Sequence, residues 1–187
     1  MIASAFRLIF VHQRKCAGCS IISAFGLTPD EPDWAFMNDG ALSPEYPARP
    51  RDHLVVSIVR DPWDRFVSGW KYCRSTRGRS LREVLLKPPA EGHDFRHLTR
   101  PQHAILFDQD RPIFDRLMRF ETVQADFDRL CDEIGKPRCE LPRLNVGRRG
   151  PAASYFDEET RRLFVDRYGR DLELFGYSAT PSKTVRR

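Results

Sequence analysis

The chain has 187 residues, 41% of them hydrophobic and 30% charged. That balance excludes a disordered tail or a fibre and is enough for one domain with a proper core. Lysine and arginine number 31 against 26 acidic residues, a net charge of +5, which suits an anionic ligand without demanding one. The longest apolar runs, such as Leu54–Val59, are too short to span a bilayer. The opening MIASAFRLIFVHQRK shows no secretory leader. Five cysteines, an odd count spread along the chain, argue for reduced thiols and a cytoplasmic, soluble protein.

In chain order, Phe6–His12 (FRLIFVH) reads as a buried strand. It runs through QRKCAGCS into an apolar helix over Ser20–Phe25, closed by Gly26. Residues 27–52, rich in Pro, Asp and Glu, read as a long loop of the kind that carries function. Leu54–Val59 (LVVSIV) is a second buried strand. Asp61-Pro62 is a helix start, with Asp as N-cap and Pro at the first helical position. Its helix carries Phe66, Val67, Trp70 and Cys73 on one stripe. A short helix over Ser80–Leu86, a Pro88-Pro89 break and a His-rich stretch from His93 to His103 follow.

Ile113–Phe120 reads as a third strand, and Thr122–Ile134 as an amphipathic helix with Phe127, Leu130, Cys131 and Ile134 inward. Gly135, Pro137 and Pro142 open a basic loop to Gly150, and Phe156–Leu174 holds one or two helices. Strands alternating with helices predict an α/β domain, a central parallel sheet flanked by helices, over residues 1–178 with a flexible tail at 179–187. Ligands of such sheets sit beyond the carboxyl ends of the strands, where QRKCAGCS and VRDPWDRFVS both fall.

The first of these turns combines a strand end, Gly18, a helix start, the cation of Lys15 and the hydroxyl of Ser20, a set able to cradle phosphate or sulfate. It is not a Walker A loop, because Lys15 precedes the glycine. Read alone, it is equally an ordinary turn with a surface lysine. In the second, Arg60 leaves a strand and Ser68 lies two turns into the next helix, a planar cation and a hydroxyl suited to a terminal phosphate. The alternative is that Arg60 merely pairs with Asp61 or Asp64.

Together the two segments resemble the PAPS-dependent sulfotransferases, specifically the family 2-like carbohydrate branch. The first turn is similar to the family's IPKTAGTS, and VRDPWDRFVSGW resembles its VRDPxxRFVSxY. His97–Gln102 is similar to an HxxPQ segment, Asp115–Glu121 and Asp126–Leu130 to a D-x-x-x-RxE strand with a DFxxL helix, Leu141–Asn145 to LPxxN, and Tyr168–Tyr177 to a Tyr…D-L-x-x-FGY ending. The likeness spans about residues 6–177, in order. It implies a P-loop-like three-layer fold and transfer of the sulfuryl group of 3′-phosphoadenosine 5′-phosphosulfate (PAPS) to a hydroxyl of a carbohydrate or glycoconjugate, releasing PAP and requiring no metal. Lys15, Ala17, Gly18, Cys19 and Ser20 would hold the 5′-phosphosulfate, Arg60 and Ser68 the 3′-phosphate, and Arg148 or Arg149 of the basic loop a second phosphate contact.

In-line displacement at sulfur needs positioning, a cation for the leaving oxygen and a base for the acceptor hydroxyl. Lys15 supplies the cation. For the base the resemblance favours His97, with His53, Asp39 and Glu45 open; His12 reads as packed, and His93 and His103 carry no argument. Golgi members of the family carry an N-terminal span that is not seen here, which leaves a soluble enzyme or an excised catalytic domain. Three rival readings remain. Cys16 and Cys19 form a CxxC at a helix start, the layout of a thiol-disulfide oxidoreductase. A small-molecule kinase could use a related scaffold. A nucleic-acid-binding module is disfavoured, because the basic residues are interspersed with acids.

Overall fold

The computed structural model describes residues 2–27, 52–90, 92–144, 147 and 149–184. Asp39, Glu45, Asn145, Val146 and Arg148 lie outside the described residues. Two compact units are formed, Met1–Val59 with Ile105–Val146, and Arg60–Ala104 with Gly147–Arg187.

The first unit is built on a sheet of order β1-β2-β3-β6. β2 (Leu8–Val11) and β3 (Leu54–Val59) pair in parallel with Leu8 opposite Leu54 and Val11 opposite Ser57. β6 (Arg116–Arg119) pairs in parallel on the far side of β3, from Val56 opposite Arg116 to Val59 opposite Arg119. β2 is buried throughout and β3 from Val55 onward, the unbroken apolar pattern of parallel strands covered on both faces. Ser57 is the polar exception in β3, and its hydroxyl donates to the Val11 carbonyl at 2.8 Å. β1 (Ile2–Ala3) adds an antiparallel edge that the sequence did not suggest, being only two residues long.

Two strand boundaries are tighter than expected. Phe6 belongs to a short 3-10 turn and Arg7 has φ 47°, so β2 begins at Leu8. The third strand is confined to Arg116–Arg119 rather than Ile113–Phe120. Ile113 is tied back to the Leu106 carbonyl, behind a small hairpin of β4 (Phe107–Asp108) and β5 (Arg111–Pro112), and Phe120 starts a 3-10 turn. Asp115 fastens the approach to β6: its N–H donates to Val55 O at 2.7 Å and its carboxylate accepts from Val55 N at 2.8 Å.

Helix α1 (Gly18–Ala24) starts two residues before the expected Ser20. It stops as the sequence predicts. Gly26 takes φ 73°, and the N–H groups of Gly26 and Leu27 return to the carbonyls of Ser23 and Ile22, a left-handed cap that glycine enters without strain. Phe25 then packs edge-on against Phe127 of α5 (Val123–Ile134), ring centroids 6.0 Å apart. Three parallel strands with helices around them make the fold α/β.

The second unit is helical. α2 (Pro62–Tyr72) opens as predicted, with Asp61 accepting from Trp63 N at 3.0 Å and Pro62 at N1. α3 (Leu81–Leu86) carries a full capping box between Ser80 and Glu83. A π-helical turn spans Phe95–Thr99, and the four-residue α4 (His103–Leu106) straddles the division between the units. α6 (Glu158–Leu174) is one helix, capped by Asp157. Trp63 stacks on Phe164 at 3.9 Å, Phe156 meets it edge-on at 4.9 Å, and the indole N–H donates to Ser178 O. Such contacts satisfy the polar tip of a buried aromatic while its body fills the core. Among the described residues no helix is long and apolar enough to cross a membrane.

Candidate active site

The turn that follows β2 in the first unit has a tight backbone. Lys15 and Ala17 both take positive φ, 67° and 61°, without being glycine, a conformation that costs on the order of 1 kcal/mol or more per residue and concentrates at functional sites. Ala17 is the N-cap of α1, and its carbonyl receives Ser20 N at 2.9 Å. Lys15, Ala17 and Cys19 are half-buried, and Gly18 and Ser20 are buried. Gly18 is fixed by a neighbour: a Cβ there would lie 1.9 Å from Cδ2 of His12. His12 is packed as expected, buried and stacked on Phe10 at 6.2 Å. Cys16 is fully buried with its thiol directed at Arg14 O, which places one member of the CxxC pair out of reach of a protein disulfide. None of the five cysteines is in a disulfide.

The turn into α2 in the second unit holds a buried charge cluster. The Asp64 carboxylate lies at 2% side-chain exposure, and Arg60 Nη2 stands 3.9 Å from its Oδ2. This is the Arg60–Asp64 pairing offered as an alternative role for Arg60. Arg149 adds a second guanidinium to the same carboxylate: Nη1 donates to Oδ1 at 3.1 Å and Nη2 to Oδ2 at 3.3 Å, while Nη1 also reaches the Asp64 carbonyl at 3.0 Å. Arg149 is thus held to α2 at 10% side-chain exposure, rather than solvated as a two-arginine loop would be by default. Planar, bidentate recognition of this kind is the property that sets arginine apart from lysine. Ser68 is half-buried two turns along α2.

Arg60 is also positioned through its backbone. Its N–H donates to Gln102 Oε1 at 3.0 Å and its carbonyl accepts from Gln102 Nε2 at 2.9 Å. Gln102 is fully buried, and its own N–H donates to Asp171 Oδ2 at 2.7 Å. The HLTRPQ and DLELFGY segments therefore meet as a frame that fixes where Arg60 leaves its strand. No spacing in the sequence announced this use of Gln102.

Two of the three histidines of the same unit, His97 and His103, differ. His97 is 7% exposed, hydrogen bonds through Nδ1 with His93 O at 2.8 Å, and stacks on His93 at 4.0 Å and Tyr72 at 5.2 Å. Gly69 in α2 makes room for this segment, since a Cβ there would lie 2.7 Å from His97 O. His103 meets the fully buried Asp171 carboxylate, Nδ1 to Oδ1 at 2.6 Å, with 21% of its side chain exposed. A carboxylate partner on one ring nitrogen fixes the orientation of the imidazole. The sequence offered no reason to choose His103. Its partner lies 68 residues away. His53, half-buried, bonds its neighbour Asp52 at 3.0 Å.

No curated protein and no solved structure matches the chain. The model of one family, described as Sulfotransferase family, matches residues 33–178. That range includes Arg60, Ser68, His97, Gln102, Arg149 and Asp171, and begins after the Lys15 turn. A match over most of the chain establishes the kinship: this chain belongs to the sulfotransferase family, enzymes that transfer sulfuryl groups.

Proposed function

We propose that the enzyme takes its sulfuryl group from PAPS and delivers it to a hydroxyl of a carbohydrate or glycoconjugate. The observation that carries this reading is the pair of guanidiniums, Arg60 and Arg149, collected on one buried carboxylate at the start of α2. Two arginines, one buried and one half-buried, suit a doubly charged phosphate, the group that distinguishes PAPS from simpler adenylates. In this reading Arg60, Ser68 and Arg149, with Arg148, hold the 3′-phosphate. Lys15, Ala17, Gly18, Cys19 and Ser20 hold the 5′ end.

The donor supplies an activated sulfuryl group when bound, and the chain's own residues do the rest. Lys15 places positive charge where the leaving oxygen becomes anionic, a contribution that matters more in the transition state than in the ground state. Backbone held at positive φ on both sides of Cys16 fixes that turn before the ligand arrives, which lowers the reorganisation needed at reaction. A histidine accepts the acceptor's proton. His97 is the resemblance-based candidate, and His103 is the one whose geometry supplies an orienting carboxylate.

The test is transfer of label from ³⁵S-PAPS to a panel of sugars, oligosaccharides and simple alcohols, run with and without EDTA and with ATP as the rival donor. Labelled product insensitive to EDTA supports the proposal. Magnesium-dependent turnover of ATP without sulfuryl transfer would assign the scaffold to a kinase instead.

A further inference from the structure

We infer that Asp64 is the positioning residue that sets the enzyme's selectivity for a 3′-phosphorylated donor, an inference that rests on the PAPS reading above. Asp64 and both guanidiniums belong to the second unit, and their side chains are 2%, 7% and 10% exposed for Asp64, Arg60 and Arg149. A carboxylate at that depth is costly unless hydrogen-bonded partners compensate it. Arg149 supplies them as a fork, with the Asp64 backbone carbonyl as a third contact. The three-point hold fixes the plane of the guanidinium and anchors the residue that follows 148 in the basic loop. A guanidinium has five N–H donors, so a fork engaged on Asp64 keeps donors in the same plane for an anion.

Arg60 stands one helical turn before Asp64 and shares Oδ2 with Arg149. The three side chains carry a formal charge of +1, so Asp64 holds two like charges together without cancelling both. Neutralising it would let the guanidiniums repel and separate, and a phosphate that needs both would lose them. An adenylate without a 3′-phosphate would feel little of this. The expected signature is therefore a change in discrimination, not a general loss of binding.

Calorimetric titration of the full chain with PAP and with AMP, for wild type, Asp64→Asn and Asp64→Glu, provides the test. Wild type should prefer PAP. Asp64→Asn should shrink the PAP-to-AMP affinity ratio by about tenfold or more while AMP affinity stays within about twofold, the scale expected for losing the orientation of a charge pair. Asp64→Glu keeps the charge but shifts the fork by one methylene, and should give an intermediate ratio. If Asp64→Asn does not fold, Asp64→Glu decides: an unchanged ratio overturns the inference. So does equal loss of both ligands in Asp64→Asn, the mark of a merely structural role. A wild type that does not distinguish PAP from AMP would overturn the donor reading first, and this inference with it.

Discussion

Substituting Gly18 by alanine separates two reasons for a glycine in the first turn. Phosphate loops use glycine so that backbone can approach the ligand, yet here the added methyl would meet the protein. Its Cβ would lie 1.9 Å from Cδ2 and 2.0 Å from Nε2 of His12, well inside van der Waals contact. His12 is a poor candidate to move, being 4% exposed and stacked on Phe10. Overpacking of this kind costs about 1–3 kcal/mol or more, which for a chain of this size corresponds to roughly 2–12 °C in Tm. Thermal unfolding measures it directly. A His12→Ala, Gly18→Ala double variant should recover part of the loss, with a coupling of about 1–3 kcal/mol in a double-mutant cycle. A Gly18→Ala protein with unchanged Tm, or a double variant whose losses simply add, would refute the steric argument. Loss of PAP binding at unchanged Tm would assign the glycine to the ligand instead.

Four further substitutions probe the chemistry and a fifth the stability. Arg60→Ala should cost about 2–5 kcal/mol of PAP affinity by calorimetry, much of it from leaving buried charge uncompensated; unchanged affinity would remove Arg60 from the site. Lys15→Ala should lower kcat by about 10²–10³-fold with a much smaller effect on donor affinity, whereas equal losses would make Lys15 a binding group only. His103→Gln should lower kcat by about 10²–10⁴-fold. If His97→Gln does this and His103→Gln does not, the base is His97. Ser80→Ala should cost about 1 kcal/mol of stability by removing the cap of α3, with donor binding unchanged in the same preparation.

What the sequence revealed was mostly local. The Asp61-Pro62 helix start and the Gly26 stop depend on residues within one turn of one another, and each forms as its pattern predicts. β3 runs from Leu54 to Val59 as expected because its residues, apolar except for Ser57, bury on both faces from Val55 onward. β6 is shorter than its pattern, since Ile113 and Phe120 are claimed by a neighbouring hairpin and a 3-10 turn. In the candidate site the motif residues were legible, and of their partners only Asp64 beside Arg60 was. Arg149 and Asp64 are 85 residues apart, and the Gln102–Arg60 and His103–Asp171 pairs join segments that only the folded chain brings together. Gly18 was read as one member of a possible phosphate cradle, while His12 is the neighbour that leaves no room for a side chain there.

Hydrogen–deuterium exchange of the wild-type enzyme with and without PAP tests the central claim most directly, because it reports each segment separately. PAP should slow exchange at 13–20, at 60–68 and at 147–150, and AMP should protect the first of these without the other two. Protection confined to other segments, or PAP and AMP giving the same map, would contradict the assignment of the donor to these turns.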